Sequence, residues 1–349
     1  MKHLLVLNAG STSLKFAVFV AKKKEAALSG VIQNIGGSST KNHEQAFKAV
    51  LRKLGTTEIG AVAHRYVHGG TLFQKPTLVT SKVLQQLIPL HRLAPLHNPV
   101  QYATLLEARR TFARVPHILA FDTAFHSTIS FPHNAYALPE KLVKKYSLRV
   151  FGFHGLSHQH ALNVAATKLK KQAHNLNIIS LHLGGGTSLC AIKQGKSFAV
   201  SMGMSPLSGA VMMSRAGDID PGIPFTLMRE GRMSPESVEK ILNFESGMKA
   251  LTGTDDLRKV LKKAEAGNDR AVRALALYTV SIQKYLAYYA MLLDRVDALV
   301  FTGAIGANRP KVVAEITRPN ALRSLKRLTT AADEEAMIAE GAASMVHLS

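Results

Sequence analysis

Short apolar runs that close on glycine and small hydroxyl residues recur along this chain, and each marks a buried strand followed by a tight turn. Residues 4–7 and 14–19 flank the turn Asn8, Ala9, Gly10, Ser11, Thr12, Ser13, which predicts a two-stranded hairpin. Residues 178–183 and 188–192 flank a second turn of the same kind built on Gly184, Gly185, Gly186 and Thr187. A third strand at 298–302 runs into a loop containing Gly303, Ala304, Ile305, Gly306 and Asn308. Strands are also predicted over 59–66, delivering Arg65 at the end, and over 118–121, delivering Asp122. Helical spacing covers 42–54, 82–113 with a break at 94–99, 158–172 and 268–294, and the acidic run Asp333, Glu334, Glu335 opens a closing helix. Residues 21–60 outside the first helix, and those after Asn308, are weakly patterned. The 201–224 segment is long, small-residue and without helical period, the kind of insert that is usually functional inside a domain.

The turns carry the first chemical signal. Backbone N–H groups and hydroxyls in such a turn can cradle phosphate oxygens, and Lys15 adds a point charge of the right sign. A plain hairpin turn reads equally well at the first site, and the repeat downstream favours a nucleotide held between two similar halves. Neither the P-loop nor the dinucleotide fingerprint is matched. Arg65 beside Gly69 and Gly70 suits an oxyanion, because a guanidinium fork binds two oxygens at once; a surface ion pair is the ordinary alternative. Asp122 stands where open α/β sheets place their chemistry, or it caps a turn. His154 and His158 lie four apart, a metal-pair spacing if helical, but Gly152 and Gly155 favour a loop and an anion contact. Asp256 and Arg258 read most simply as a capped helix start.

At 349 residues and 46% hydrophobic, the chain can bury cores for two domains. Lys+Arg outnumber Asp+Glu 44 to 23, a formal charge of +21, but the basic residues at 22–24, 144–145, 168–171, 259–263 and 323–327 are dispersed. No basic stripe interleaved with aromatics forms and Trp is absent, so no dedicated nucleic-acid surface is expected. The charge reads as solvated surface with a general pull on anions. Cys190 is the single cysteine, which excludes an intramolecular disulfide and predicts a small core residue. No run of about 18 apolar residues is present, so no membrane span is expected, and a cytoplasmic location is the default.

The motifs Asn8-Ala-Gly-Ser-Thr-Ser-Leu-Lys15-Phe16, His64-Arg65-x-Val67-His68-Gly-Gly, Ala94-Pro-Leu-His97-Asn-Pro, Phe121-Asp122-Thr-Ala-Phe-His126, Gly152-Phe-His154-Gly-x-Ser-His158, Met212-Met-x-Arg215-x-Gly-Asp218-Ile-Asp220-Pro and Phe301-Thr-Gly-x-Ile-Gly-x-Asn308 closely resemble the acetate kinase family, in that family's order and over nearly the whole chain. The resemblance implies an α/β protein with a duplicated ribonuclease H-like, actin-like ATPase fold. Two domains are then expected, 1–147 with 336–349 and 148–335, with the active-site cleft between them. It implies reversible Mg²⁺-dependent (or Mn²⁺-dependent) phosphoryl transfer between ATP and acetate by direct in-line attack, and a homodimer. Arg65, Asp122, His154 and Arg215 would be catalytic, with Arg65, Val67, Leu96, Phe153 and Pro206 around the acyl group. Lys15, His182, Gly184, Gly185, Gly186, Asp256, Arg258, Gly303, Ala304, Ile305, Gly306 and Asn308 would hold the nucleotide. Asn8 and Glu334 would hold the metal, with Glu334 open to a slip onto Asp333 or Glu335, and Ser11 and Ser13 would shape the phosphate side.

The chain departs from the family's usual residues at Gly185, at Ala199 and Val200, and in the nucleotide loop at Ala304 and Ala307. Propionate and butyrate kinases are the nearest alternatives, and a non-catalytic nucleotide-binding relative is the alternative from another class.

Overall fold

Two mixed sheets that share a five-strand order organise the chain, each carrying its own core. The computed structural model describes residues 2–20, 25–37 and 40–346, with Asn320 described through its backbone alone; the lysines at 22–24 lie outside these. The chain divides into one unit of Met1–Ser127 with Asp333–Ser349, and a second of Thr128–Ala332. These divisions fall earlier than 147/148 and 335/336. Residues 128–147 go with the second unit because Thr128 donates to the Ser197 carbonyl and the Met204 N–H donates to Tyr136.

In the first unit, β1 (His3–Ala9) and β2 (Leu14–Val20) form the expected hairpin, and β3 (Ala26–Ile32) extends it antiparallel. The sequence pattern missed β3, an edge strand whose Ala, Ser and Gly residues give little apolar signal. β4 (Ile59–Tyr66) and β6 (His117–Phe121) then add parallel to β1, and the short β5 (Thr77–Leu78) closes the edge. The resulting order is β3-β2-β1-β4-β6-β5. The helix His43–Leu54 buries Ala46, Phe47, Val50 and Leu54 against Leu5, Leu7, Phe16 and Val18.

In the second unit, β7 (Ile178–Leu183), β8 (Thr187–Lys193) and β9 (Lys196–Val200) make the antiparallel meander, and β10 (Ala298–Thr302) and β11 (Arg327–Thr329) add parallel to β7. The order β9-β8-β7-β10-β11 repeats β3-β2-β1-β4-β6 of the first sheet, without a counterpart of β5 among the described residues, as a duplicated ribonuclease H-like core requires. The long helix Asp269–Leu292 packs Tyr278, Ile282, Leu286 and Tyr289 into a core with Ile179, Leu181, Leu189 and Phe301. Cys190 is fully buried and free, as expected.

Three other expectations shift. The helix placed at 158–172 runs Gly155–Leu169. The predicted loop at 303–306 is a single helical turn, Gly303–Gly306. The loosely patterned stretch beyond Asn308 contains the helix Pro310–Ile316 as well as β11.

Candidate active site

Parallel strands present their carboxyl ends on one edge of a sheet, which gathers side chains distant in sequence. In the first unit that edge carries Asn8 from β1, Arg65 from β4 and Asp122 just beyond β6. Arg65 Nε lies 3.0 and 3.1 Å from the two Asp122 carboxylate oxygens, and Nη2 lies 2.5 Å from Oδ2. Its remaining arm, Nη1, donates to Asn8 Oδ1 at 3.1 Å. Asn8 in turn donates through Nδ2 to Glu335 at 2.7 Å and to Glu334 at 3.3 Å, both at the start of the helix Glu334–Ala343. Lys15, the register partner of Asn8 on β2, reaches Glu334 at 3.9 Å.

Burial works against the Arg65 charge, but the carboxylates of Asp122, Glu334 and Glu335 outweigh it and hold the guanidinium firmly protonated. Burial of Asp122, which is 2% exposed, pushes its carboxyl upward against the pull of Arg65. Val67 follows β4, buried, with its N–H given to Gln101; Leu96 is 38% exposed.

The acidic oxygen donors around Asn8 suit a hard cation. Mg²⁺ takes one or two protein carboxylates and completes its shell with water and substrate oxygens, so Glu334, Glu335 and Asn8 fit such an ion. A cage made by the protein alone is not indicated: among the described residues no group of three or more His, Cys, Asp or Glu side chains is arranged to hold a metal. The His154–His158 metal pair is likewise not formed, because Ser188 lies between the two rings.

The corresponding edge of the second sheet carries the two glycine turns. Gly184 N–H bonds to the Gly186 carbonyl at 3.0 Å, and Gly185 accepts from the Met213 N–H at 3.2 Å. That bond draws the irregular 201–221 segment, with Arg215, over the turn. Gly303 takes φ +80°, and a Cβ there would lie 2.5 Å from the Leu183 carbonyl oxygen, so no other residue fits this approach of β10 to β7. A Cβ built on Gly186 would lie 3.3 Å from His154 Nε2 and 3.5 Å from Arg215 Nη1, so both cationic-capable side chains bear on one point of bare backbone. The His154 and His182 rings stack at 4.3 Å, and Ser157 pins His182 Nδ1 at 2.8 Å.

Arg215 differs from Arg65 in one respect that matters for chemistry. No carboxylate neutralises it among the described residues; its nearest acceptors are the Pro206 carbonyl at 3.5 Å and the Met212 sulfur at 3.8 Å. Burial alone weakens its hold on the proton, though a guanidinium stays charged. Phe153 is buried beside His154. Asp256 and Arg258 pair with each other at 2.7 Å, and the acid caps the helix Leu257–Glu265; Asn308 donates to the Ala304 carbonyl. The sequence reading overlooked Ser157, Ser180 and Ser188, which hold the histidine rings; their signal is the strand register that sets His182 opposite Ser188.

Residues 3–348 match the model of the acetokinase family. The chain is 40% identical over 340 residues to the acetate kinase of Leifsonia xyli subsp. xyli, covering 90% of this chain and 85% of that one. Among solved structures it superposes on Porphyromonas gingivalis acetate kinase with a TM-score of 0.90 at 28% identity, covering 99% of this chain and 100% of that one. A propionate kinase from Francisella tularensis subsp. tularensis gives 0.92 at 32% identity, covering 98% and 99%. A family model spanning almost every residue, close relatives over most of their own length, and the paired sheets with their charged edges agree: the chain belongs to the acetokinase family.

Proposed function

We propose that this chain transfers the γ-phosphoryl group of ATP to acetate, reversibly, giving acetyl phosphate and ADP in one in-line step. Such a transfer asks the protein for position and for compensation of negative charge, more than for covalent chemistry. The observation that carries the reading is Arg215: a part-buried cation without a carboxylate partner among the described residues, set beside His154 over the 184–186 turn. An uncompensated buried charge is costly, and an anionic group removes the cost. Arg65 and Arg215 would each compensate negative charge in the reaction, with His154 donating a hydrogen bond to the transferring group. Asp122 holds Arg65 in orientation. The glycine turns at 184–186 and 303–306, with Lys15, His182, Asn308 and the Asp256–Arg258 pair, would serve the nucleotide.

Mg²⁺ would be held by Glu334 and Asn8, with Glu335 beside them, and neutralises phosphate charge when bound. Val67, Leu96, Phe153 and Pro206 would be the apolar residues that serve the acyl methyl. We also read the chain as a homodimer; a row of exposed apolar side chains on the helix Asp269–Leu292, Leu277, Val280, Tyr288 and Met291, supports a second copy as the partner. No helix among the described residues is long and apolar enough to cross a membrane, and the cytoplasm is the compartment we assign.

Propionate is the second reading, favoured by the likeness to a propionate kinase. One methylene is worth only about 1–3 kcal/mol of discrimination. Hydroxamate trapping of acyl phosphate with ATP and acetate, propionate or butyrate tests both. Acetate should give the highest kcat/KM; ATP binding with no product from any of the three would overturn the proposal and leave a nucleotide-binding protein.

A further inference from the structure

His154 stands in the left-handed region (φ 57°) as the residue before the helix Gly155–Leu169, a conformation uncommon outside glycine. Its ring is tied from behind by a chain of hydroxyls and imidazole. Ser188 Oγ lies 2.9 Å from His154 Nδ1 and 2.8 Å from His158 Nε2, and His158 Nδ1 lies 2.9 Å from Ser180 Oγ. Ser180, Ser188 and His158 are fully buried. β7 and β8 supply the two serines, and the helix supplies His158 one turn after His154.

A hydroxyl has one proton and a neutral imidazole one N–H. Ser188, between two ring nitrogens, therefore donates to one and accepts from the other. If it donated to His158, then His158 Nδ1–H would point at Ser180 and the buried Ser180 proton would have no acceptor on the ring. Among the described residues the Ser180 side chain reaches His158 alone, and a buried unpaired O–H is disfavoured. The order that satisfies every group runs the other way. Ser180 O–H donates to His158 Nδ1, His158 Nε2–H donates to Ser188, and Ser188 O–H donates to His154 Nδ1. The His154 proton is then left on Nε2, the nitrogen that bears on Gly186 beside Arg215.

We propose that Ser188, His158 and Ser180 are positioning residues that fix His154 as its neutral Nε2–H tautomer, ready to donate to an oxygen of the transferring group; the last clause rests on the role given to His154 above. Arg215 Nη1 bears on the same Gly186 position as His154 Nε2, and His182 is stacked on the ring face. The tautomer of a histidine is set by the bond its other nitrogen makes, so the far end of the relay controls the end that meets substrate.

The test is long-range ¹H–¹⁵N correlation on the full chain labelled with ¹⁵N-histidine, with the His154 signals identified by their loss in His154→Gln. The wild-type chain should show His154 protonated at Nε2 and bare at Nδ1. Ser188→Ala should convert this to a tautomer mixture and lower kcat about tenfold with KM for ATP and acetate changed less than about twofold, and Ser188→Thr, which keeps the hydroxyl, should restore most of both. Ser180→Ala, which does not touch His154, should shift the tautomer of His158 and partly that of His154, and carries the test if Ser188→Ala does not fold. A wild-type His154 protonated at Nδ1, or an unchanged tautomer in the serine variants, would overturn the proposal. The spectrum is read without turnover, so an inactive wild-type chain would refute the phosphoryl-transfer reading and leave the relay judged on its own.

Discussion

Arg65 and Asp122, fifty-seven residues apart in sequence, meet at the ends of neighbouring parallel strands in a forked ion pair whose three contacts measure 2.5–3.1 Å. The carboxylate occupies Nε and Nη2, and Asn8 takes Nη1, so the guanidinium is fixed in plane and in direction. The pair therefore stiffens a cation and sets the face it can offer to a substrate anion.

Removing Asp122 leaves a buried guanidinium without its counter-charge. Asp122→Ala should lower stability by about 3–5 kcal/mol, read as a shift of the urea midpoint. Arg65→Ala should in turn lower kcat on the order of a thousandfold, the scale seen for charge clamps in phosphoryl and acyl transfer. An Asp122→Ala protein of wild-type stability would show that the pair contributes nothing net.

Gly303 offers a second test, independent of charge. Ala at this position must keep φ near +80° with its Cβ against the Leu183 carbonyl. Gly303→Ala should cost about 1–3 kcal/mol of stability and displace the helical turn that follows it, raising KM for ATP more than KM for acetate. Equal changes in the two KM values would remove this turn from the nucleotide side.

Acid should destabilise the first unit through its buried histidines. Burial holds His64 and His117 below the ordinary histidine range. It pulls His68 down to about 4, with the charge of Arg92 adding to it. His68 is thus neutral in the fold and titrates near 6.5 when unfolded. A depressed folded value means stability that is present above pH 6.5, falls progressively below it and is fully lost once pH drops through 4. Between pH 7 and pH 5 the loss from His68 alone should be about 2 kcal/mol, seen as a falling urea midpoint and reduced in His68→Gln. A midpoint that is flat over this interval would contradict the assignment.

The sequence carried the strands that matter most, because β1, β4, β6, β7 and β10 are buried on both faces and read as mainly apolar runs. The same runs place Asn8, Arg65 and Asp122 at strand ends. β3 and the 303–306 turn were not legible: the first packs small residues on an edge, and the second is held by a close approach to Leu183 that lies over a hundred residues away in the chain. The serine–histidine relay was illegible for another reason. Which ring nitrogen meets which hydroxyl follows from strand register, and no local spacing encodes it. The contrast between a neutralised Arg65 and an unneutralised Arg215 was equally hidden, since both look alike as arginines near glycines.

Arg215, as proposed, compensates the charge of a transferring phosphoryl group. The most direct measurement is kcat for acetyl phosphate formation in Arg215→Ala and Arg215→Lys, with circular dichroism and the urea midpoint as controls for folding. The alanine variant should fall about a thousandfold, with incomplete recovery by lysine because a point charge does not replace the planar fork. A folded Arg215→Ala protein turning over at nearly the wild-type rate would contradict that role.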